Sequence, residues 1–294
     1  MKIIIPMSGL GKRFVDAGYD MPKPLIIVDG KPIIEHVISV FSGDHSFVFI
    51  CSNDHLKETN LEEVLRTSRP NSTIIGIEKH TQGPVYALTH VYDYILDDEE
   101  VMISYCDYGM DFDFNNFQNK LREGNFDGAV PCYTGFHPHL LHGNVYAGVR
   151  VNEHNVMIDI REKHSFTENP MESHHSVGAY YFRRGSDLKK YHDELLASNI
   201  RLNGEAYTSM IYYLYLRDGH NIYVPEVQRF MQWGTPTDLE EYEAWSRYFH
   251  KQLGKEKGKT DIPESRERFV KIPYEEKTTE YEKCYTYWEN HFTH

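Results

Sequence analysis

The sequence predicts an α/β fold with a mixed, mainly parallel wound sheet flanked by helices, followed by a C-terminal extension. The first observation is that short apolar runs alternate with helix-like segments through the first half of the chain. Such alternation is typical of parallel strands joined by right-handed crossovers. The second is size, because 294 residues suffice for one large α/β domain with attachments, or for two small domains. The third is composition, since 40% hydrophobic and 26% charged residues are usual for a globular protein.

The individual elements follow from the length and spacing of the apolar runs. Short continuous runs predict buried strands, and apolar residues at helical spacing predict amphipathic helices. In the first half we predict strands over 2–7, 45–51, 72–77 and 100–106, and helices over 31–41, 55–67 and 83–95. In the second half we predict strands over 127–133, 144–151 and 176–184, and helices over 186–197, 204–218 and 236–252.

The composition of the chain changes near residue 250. We expect residues 1–250 to form one domain, and residues 251–294 to form a polar linker and an aromatic C-terminal extension. The density of Tyr, Trp and Phe near the end of this segment is unusual for a disordered tail. We therefore expect the extension to pack on the domain or on a partner subunit.

The charge balance argues against a nucleic-acid partner. The chain has 31 Lys and Arg against 44 Asp and Glu, a formal net charge of −13, whereas nucleic-acid binders show a basic footprint. The 4 cysteines form no C-x-x-C pair, which fits a reducing compartment. The first apolar run is too short for a signal peptide, and no stretch approaches the ~20 apolar residues of a membrane span. We expect a cytoplasmic protein without a membrane partner, and the 22 tyrosines favour a homodimer or higher homo-oligomer.

The stretch SGLGKRF, residues 8–14, follows the first predicted strand and carries two glycines and two cations. A dinucleotide-binding motif needs glycine where Phe14 stands, and the P-loop spacing is absent too. What remains is a loop whose backbone N–H groups can approach phosphate oxygens while Arg13 supplies a bidentate cation. Taken alone, the loop is explained equally well as a tight strand-to-helix turn without a ligand.

Lys23 stands between two prolines in MPKPL, residues 21–25. Because proline fixes its own backbone and restricts the residue before it, the direction of the Lys23 side chain is largely set. This arrangement suits an ammonium that must meet one phosphoryl group. A second cation-bearing motif so close to the glycine loop favours a phosphate site.

The order Gly-x-Gly-x-Arg-Phe, Pro-Lys-Pro-Leu and Gly-Lys-Pro-Ile resembles the signature of the sugar-phosphate nucleotidyltransferases, and the resemblance continues through roughly residue 245. It implies a Rossmann-like, GT-A-like nucleotidyltransferase fold over residues 1–250. It also implies a Mg²⁺-dependent enzyme that joins a nucleoside triphosphate to a phosphorylated small molecule and releases pyrophosphate.

The resemblance also implies roles for particular residues. Arg13 and Lys23 are implied to be catalytic, Arg13 on the outer phosphates and Lys23 between the α-phosphate and the incoming phosphate. The implied nucleotide-binding residues are Ser8, Gly9, Leu10, Gly11, Lys12, Arg13, Gln82 and Gly83, and the implied substrate-binding residues are Glu162, Lys163, Gly178 and Glu205. The residues alone leave ordinary alternatives open, namely a helix start at Gln82, an ion pair of Glu162 with Lys163, and a helix cap at Glu205.

Asp107 follows the predicted strand 100–106, at the carboxyl end where wound sheets place their ligands. The family resemblance implies that Asp107 binds Mg²⁺, and oxygen ligands suit that ion. Asp111 and Asp113 offer an alternative, because D-x-D after a strand is the metal motif of nucleotide-sugar glycosyltransferases. We favour Asp107, since alternation of Phe112 and Phe114 leaves the other two aspartates as exposed or capping residues.

The late motif QWGTPTDL, residues 232–239, departs from the family pattern. Many members carry a second metal-binding aspartate where this chain has Gln232, which is a neutral and poorer Mg²⁺ ligand. Either the metal is held by Asp107, phosphates and water, or another carboxylate completes the site. A catalytically impaired binding or regulatory homologue is a further alternative.

The substrate is less well determined than the reaction class. The start Pro-Met-Ser-Gly and the stretch Tyr-Cys-Asp resemble a capsule-associated branch that includes cytidylyltransferases acting on phosphoglutamine. This resemblance favours CTP, and the other nucleoside triphosphates remain open. The histidines at 137, 139 and 142 fit no standard zinc spacing, so we expect them in a solvated loop.

Overall fold

The computed structural model describes residues 1–143 and 146–293. Its strands are β1 (Lys2–Met7), β2 (Ile27–Val28), β3 (Lys31–Pro32), β4 (Ser46–Ser52), β5 (Thr73–Ile77), β6 (Val101–Ser104), β7 (Tyr108–Asp111), β8 (Gly128–Ala129), β9 (Cys132–Tyr133), β10 (Gly148–Val151), β11 (Met157–Arg161), β12 (His174–Ser176), β13 (Ala179–Phe182), β14 (Ile222–Tyr223) and β15 (Arg229–Gln232).

The α-helices alternate with these strands and become longer toward the C-terminus. They are α1 (Lys12–Asp16), α2 (Ile33–Val40), α3 (Asn53–Glu58), α4 (Leu61–Ser68), α5 (Pro84–Ala87), α6 (Phe114–Glu123), α7 (Gly185–Ala197), α8 (Thr208–Arg217), α9 (Pro236–Gln252) and α10 (Thr279–Phe292). Short 3-10 turns lie at Lys23–Leu25, Leu88–Tyr94, Pro138–His142, Pro170–Glu172 and Glu264–Phe269. None of the helices in the described ranges combines the length and apolarity of a bilayer crossing.

The largest sheet of the described residues has seven strands, in the order β14–β8–β13–β6–β1–β4–β5. β1 pairs in parallel with β4 on one side and with β6 on the other. β13 runs antiparallel to both of its neighbours, β6 and β8, and β14 runs parallel to β8. The predicted mixed, mainly parallel sheet is therefore confirmed.

Smaller sheets accompany the seven-stranded sheet. β11, β10, β12 and β9 form an antiparallel sheet, and β7 pairs antiparallel with β15. β2 and β3 form a hairpin directly after the Lys23–Leu25 turn. The β7–β15 pair brings the late QWGT motif beside the chain that follows β6.

Helices cover both faces of the main sheet, so side chains on both faces of β1 are buried. This explains why the sequence of β1 is a continuous apolar run. Ile3, Ile4 and Ile5 are each 0% exposed. Ile3 and Ile5 belong to the core shared with α2, α4 and α6, whereas Ile4 belongs to the core shared with α5, α7 and α8. A third apolar core lies around α9 and α10.

The strand order creates a crevice beside β1. The chain continues from β1 to β4 on one side, while β6, on its other side, comes later in the sequence. In wound sheets ligands bind at such a reversal, outside the carboxyl ends of the strands. Here those ends lead into the glycine loop after β1 and the Asp107 loop after β6.

The single helix predicted over 55–67 is wrong, because the chain forms α3 and α4 instead. Thr59 between them is extended, with φ −134° and ψ 175°. Its hydroxyl donates to the carbonyl of His55 at 2.6 Å and accepts the Leu61 N–H at 3.2 Å. A threonine that bonds nearby backbone in this way competes with helix continuation.

Other predicted elements are shorter than expected or divided. The predicted helix over 31–41 begins only at Ile33, because residues 31 and 32 form β3. The predicted strand 127–133 is divided into β8 and β9 around Pro131, which has no N–H for a ladder. The predicted strand 176–184 is likewise divided, at Gly178 with φ +82°.

Two further elements also differ from their predicted bounds. The predicted helix over 83–95 is α-helical only in α5 and continues as a 3-10 turn. The predicted strand 144–151 is observed from Gly148, and residues 144 and 145 lie outside the described residues.

The polar segment after α9 is fixed against the β2–β3 hairpin. The Gly30 N–H donates to the Lys259 carbonyl at 2.8 Å, and the Lys257 ammonium lies 3.1 Å from the Asp29 carboxylate. Lys257 also forms an ion pair with Glu243 of α9, whose side chain is 0% exposed. At Gly258 an added Cβ would lie 2.3 Å from the carbonyl carbon of Asp29, so only glycine fits this crossing.

The C-terminal helix α10 packs on α9 and reaches β15. Cys284 and Trp288 of α10 are buried in the third core together with Trp245 of α9. The Tyr287 hydroxyl donates to the Phe230 carbonyl of β15 at 2.9 Å. The aromatic residues of α10 therefore contact the strand that carries the late motif.

We predict that Lys257→Met destabilises the fold by about 3–5 kcal/mol, because removing one partner leaves the buried Glu243 carboxylate unpaired. Urea unfolding followed by circular dichroism measures this free energy. The matched control is Lys255→Met, two residues earlier at an exposed position. Equal stability of the two variants would contradict the structural role of the Lys257 ion pair.

Candidate active site

The glycine loop leaves β1 and turns sharply into α1. Gly11 has φ +59°, a conformation that glycine adopts readily. Phe14 is 2% exposed and packs in the third core, whereas Lys12 and Arg13 are exposed. Ser8 is buried, and its hydroxyl lies 3.2 Å from His80 Nε2. The loop is thus anchored at both ends and presents its backbone and cations to solvent.

Lys23 begins the Lys23–Leu25 turn, whose Pro24 and Leu25 are buried. Its ammonium is 2.7 Å from Asp107 Oδ2, and each side chain is 22% exposed. Burial acts to lower the pKa of Lys23, but the Asp107 carboxylate acts in the other direction, and the net pKa is raised. Lys23 is therefore a half-buried, permanently charged ammonium at the carboxyl end of β6.

Asp107 also contacts the late motif. Its carbonyl accepts the Trp233 N–H at 3.0 Å, and a Cβ added at Gly234 would lie 3.0 Å from its Oδ2. The Gly234 position therefore leaves the Asp107 carboxylate accessible where a side chain would crowd it. Three distant segments, at residues 23, 107 and 233–234, meet at this point.

Gln232 is 6% exposed, and its amide donates to the Asp238 carboxylate of α9. Burial raises the pKa of Asp238, while the hydrogen bonds from Thr235 and Gln232 act to lower it. Within the described residues, Gln232 Oε1 has no hydrogen-bond partner. Asp238 is thus a carboxylate in hydrogen-bond contact with Gln232, where many family members have an aspartate. It lies inside the motif QWGTPTDL, residues 232–239, but the sequence alone assigned it no role.

Glu162 and Lys163 follow β11 and meet residues at the start of α8. The Ser209 hydroxyl donates to Glu162 Oε2 at 2.6 Å, and burial raises the pKa of the Glu162 carboxyl. The Lys163 ammonium donates to the Tyr207 hydroxyl at 2.9 Å. Lys163 has φ +50°, which is uncommon for a residue other than glycine.

Gln82 and Gly83 pack on the segment that carries Glu205. Gly83 has φ +85°, and a Cβ there would lie 2.7 Å from the Ala206 carbonyl oxygen and 3.2 Å from Glu205 Cβ. The Ala206 N–H points to the Gln82 carbonyl at 3.5 Å. The segment implied to contact the nucleotide base thus touches the segment implied to contact the second substrate.

Gly178 and Tyr105 connect the Asp107 side of the crevice with the Glu162 side. The Tyr105 N–H donates to the Gly178 carbonyl at 2.9 Å, and a Cβ at Gly178 would lie 2.7 Å from the Tyr105 ring. Burial raises the pKa of Tyr105, and the carboxylates of Glu162 and Asp107 raise it further. Tyr105 therefore lies within electrostatic reach of both carboxylates.

These contacts divide the implied site residues into two linked groups. One group joins Lys23 to Asp107, and the other joins Lys163, Glu205 and the Gln82–Gly83 segment. The Arg13 guanidinium acts to lower the pKa values of both Lys23 and Tyr207, so its charge is within electrostatic reach of both groups.

The alternative D-x-D carboxylates are engaged by the protein. Asp113 caps α6, where its Oδ1 accepts the Asn116 N–H at 2.9 Å. Asp111 forms an ion pair with Arg229 and lies 3.7 Å from His291 Nδ1. Burial acts to raise the pKa of Asp111, but His291 and Arg229 lower it below its usual value.

Two cavities lie outside the crevice. One of about 400 Å³ is beside Asp111, and one of about 550 Å³ is between the β2–β3 hairpin and residues 259–263. Their lining includes none of the implied site residues that the structure describes. The convergence of charged groups, rather than cavity size, therefore identifies the candidate site.

The expectation of a solvated histidine loop is wrong for His137 and His139. Both are buried, and His139 Nε2 lies 2.7 Å from the Tyr133 hydroxyl. Burial lowers the pKa of His137 to about 4 and that of His139 well below its usual value. The two histidines are neutral members of an aromatic cluster, whereas the His142 side chain is 47% exposed.

Comparisons with known proteins identify the family of this chain. A family model described as a MobA-like NTP transferase domain matches residues 3–157, more than half of the chain. The chain therefore belongs to the family of MobA-like NTP transferase domains. This membership confirms the predicted relationship to sugar-phosphate nucleotidyltransferases.

Two curated relatives match part of the chain. Glucose-1-phosphate cytidylyltransferase of Salmonella typhimurium is 28% identical over 38% of this chain and 52% of that protein. UTP–glucose-1-phosphate uridylyltransferase of Haemophilus ducreyi is 31% identical over 26% of this chain and 25% of that protein. The chain thus matches about half the length of the first relative and a quarter of the second.

Solved structures share the fold at low sequence identity. A nucleoside-diphosphate-sugar pyrophosphorylase from Vibrio cholerae RC9 has TM-score 0.65 and 21% identity, covering 80% of this chain and 97% of that one. The inositol-1-phosphate CTP transferase from T. maritima has TM-score 0.61 and 18% identity, covering 81% of this chain and 90% of that one. Both similarities confirm the predicted fold class.

We predict that Gly83→Ala destabilises the protein by about 1–3 kcal/mol more than Gly204→Ala. Both glycines have positive φ, but the space around Gly204 is open, whereas a Cβ at Gly83 meets the Ala206 backbone. The strained φ lowers the stability of both variants. Overpacking lowers the stability of Gly83→Ala alone. Urea unfolding measures the difference, and equal losses would show that the 82–83 segment does not pack tightly on residues 205–206.

Proposed function

We propose that this protein is a Mg²⁺-dependent cytidylyltransferase that joins CTP to a small phosphorylated substrate and releases pyrophosphate. The substrate is a sugar phosphate or another phospho-metabolite such as phosphoglutamine, and the product is an activated precursor for capsule or surface polysaccharide. The observation that carries this proposal is the 2.7 Å ion pair of Lys23 and Asp107, which lies within electrostatic reach of Arg13. The names of the Salmonella and T. maritima relatives support the choice of CTP.

The reaction requires charge neutralisation and alignment more than proton transfer. An oxygen of the substrate phosphate attacks the α-phosphorus, and the bond from the α-phosphorus to the pyrophosphate oxygen breaks in line. The attacking phosphate is already ionised near neutral pH, so no general base is needed. Arg13 and Lys23 would offset the negative charge on the transferring group. The raised pKa of Lys23 keeps that side chain protonated throughout.

The residues present fit a magnesium ion that is held largely by the substrate. Asp107 supplies carboxylate oxygen at the carboxyl end of β6, and Mg²⁺ in such sites is bound by one or two carboxylates together with phosphates and water. In residues 1–143 and 146–293 no group of three His, Cys, Asp or Glu is arranged to hold a metal by itself. A bound Mg²⁺ would neutralise charge on the triphosphate beside Asp107.

The neutral Gln232 is compatible with this metal site. Its amide is hydrogen-bonded to Asp238, so the position serves the packing of β15 on α9. With Asp107 as the carboxylate ligand, the triphosphate and water would supply the remaining ligands of the ion.

We predict that pyrophosphate appears only when CTP and a phosphorylated acceptor are both present. A screen of the common nucleoside triphosphates against sugar phosphates and phosphoglutamine, read by pyrophosphate release, tests the proposal. Lys23→Met and Asp107→Asn should each lower kcat/KM by about 10²–10³-fold, because each removes a group that stabilises transferring charge.

The matched control is Asp113→Asn, which keeps a residue able to cap α6 but removes the second D-x-D carboxylate. It should retain activity within a factor of about two. Consumption of a nucleotide sugar that is lost in Asp113→Asn would instead indicate a glycosyltransferase. Nucleotide binding without pyrophosphate release would indicate a regulatory homologue.

A further inference from the structure

Tyr207, at the start of α8, lies between two residues that the family resemblance implies for the second substrate. Its hydroxyl accepts a hydrogen bond from the Lys163 ammonium at 2.9 Å and donates one to the Glu205 carboxylate. The same ammonium lies 4.6 Å from the centre of the Tyr207 ring. The phenol therefore contacts Lys163 through both its ring and its hydroxyl, and the family resemblance gave it no role.

The conformation of Lys163 is costly for an unliganded surface residue. Its φ of +50° is in the left-handed region, which costs a residue with a Cβ of order 1 kcal/mol. The side chain is exposed, and fixing a free lysine also reduces its rotamer entropy. Strained backbone of this kind is concentrated at ligand-binding positions.

Charged groups from both proposed substrate sites surround Tyr207. Burial raises the pKa of its hydroxyl, the Glu205 and Glu162 carboxylates raise it further, and the Arg13 guanidinium acts to lower it. The phenol is therefore neutral at physiological pH and lies within electrostatic reach of the glycine loop. Tyr207 occupies the junction between the nucleotide side and the acceptor side of the crevice.

The two lysines of the crevice are held by partners of different charge. Lys23 is paired with a carboxylate, whereas Lys163 is held by a neutral phenol. An ammonium has three N–H donors, so a bond to Tyr207 leaves two for a ligand. Because the phenol is uncharged, the bond to Tyr207 holds the Lys163 ammonium without neutralising it, and its positive charge can attract a phosphate dianion.

We propose that Tyr207 is a positioning residue for the acceptor, whose hydroxyl aims Lys163 at the acceptor phosphate and holds Glu205 beside the acceptor's organic part. The ligand class is a phosphomonoester. This inference rests on the proposed function for its kinetic consequences, but phosphate binding can be measured without turnover.

The first test compares Tyr207→Phe with wild type in steady-state kinetics. Phenylalanine keeps the ring and its packing but removes the hydroxyl. The acceptor KM should rise about tenfold, as expected for loss of one hydrogen bond to a charged group, while kcat and the KM for CTP stay within about twofold. The matched control is Tyr213→Phe on the same helix, where the tyrosine is 51% exposed.

A double variant separates positioning from general structural damage. If Tyr207 acts through Lys163, removing the hydroxyl in a Lys163→Met background should change the acceptor KM by less than about twofold. Additive losses in Lys163→Met/Tyr207→Phe would overturn the proposal, because the hydroxyl would then act independently of the lysine.

A binding measurement keeps this inference distinct from the proposed function. With the triphosphate site filled by the α,β-methylene analogue of CTP and Mg²⁺, calorimetry with inorganic phosphate should show binding that weakens about tenfold in both Tyr207→Phe and Lys163→Met. Equal phosphate affinity in wild type and Tyr207→Phe, or no phosphate binding to wild type, overturns the role of Tyr207. Absence of pyrophosphate release from every CTP and acceptor pair would overturn only the proposed function.

Discussion

The constraint on which the rest of the structure depends is the parallel pairing of β1 with β4 on one side and β6 on the other. The chain passes from β1 to β4 on one side of β1 and later reaches β6 on the other side. A crevice is expected at such a reversal, where β1 and β6 end. The glycine loop and Asp107 lie at this edge because each directly follows one of the two strands. The Lys23 turn and the Gly234 region then complete the same edge from distant parts of the sequence.

The electrostatics of the crevice contrast with those of the whole chain, whose formal net charge is −13. Lys23 is held charged by Asp107, Lys163 is held by a neutral phenol, and Arg13 is exposed on its loop. A triphosphate and a phosphomonoester together bring several negative charges into one place. Local cations of this kind can bind such anions in an acidic protein, since the field of a cleft is determined by its own lining.

How far the sequence predicts this structure depends on the range of the interactions involved. β1 and α9 were predictable because an apolar run and helical spacing are local signals. The break at Thr59 was missed because it arises from side-chain bonds to backbone that the amphipathic pattern does not show. The burial of His139 depends on an aromatic cluster assembled from distant segments. Nothing in the sequence indicated a role for Tyr207, since its partner Lys163 is 44 positions away. The candidate site was therefore predictable only at residues that belong to recognisable motifs.

The central claim is that a nucleotide and its metal bind at the carboxyl ends of β1 and β6, between the glycine loop and Asp107. A crystal structure with CTP and Mn²⁺, in which anomalous scattering locates the metal, tests this claim most directly. We predict a manganese peak within about 2.0–2.3 Å of an Asp107 oxygen, with the triphosphate along residues 8–13. A peak at Asp111 or Asp113, or a nucleotide in the cavity beside Asp111, would contradict it.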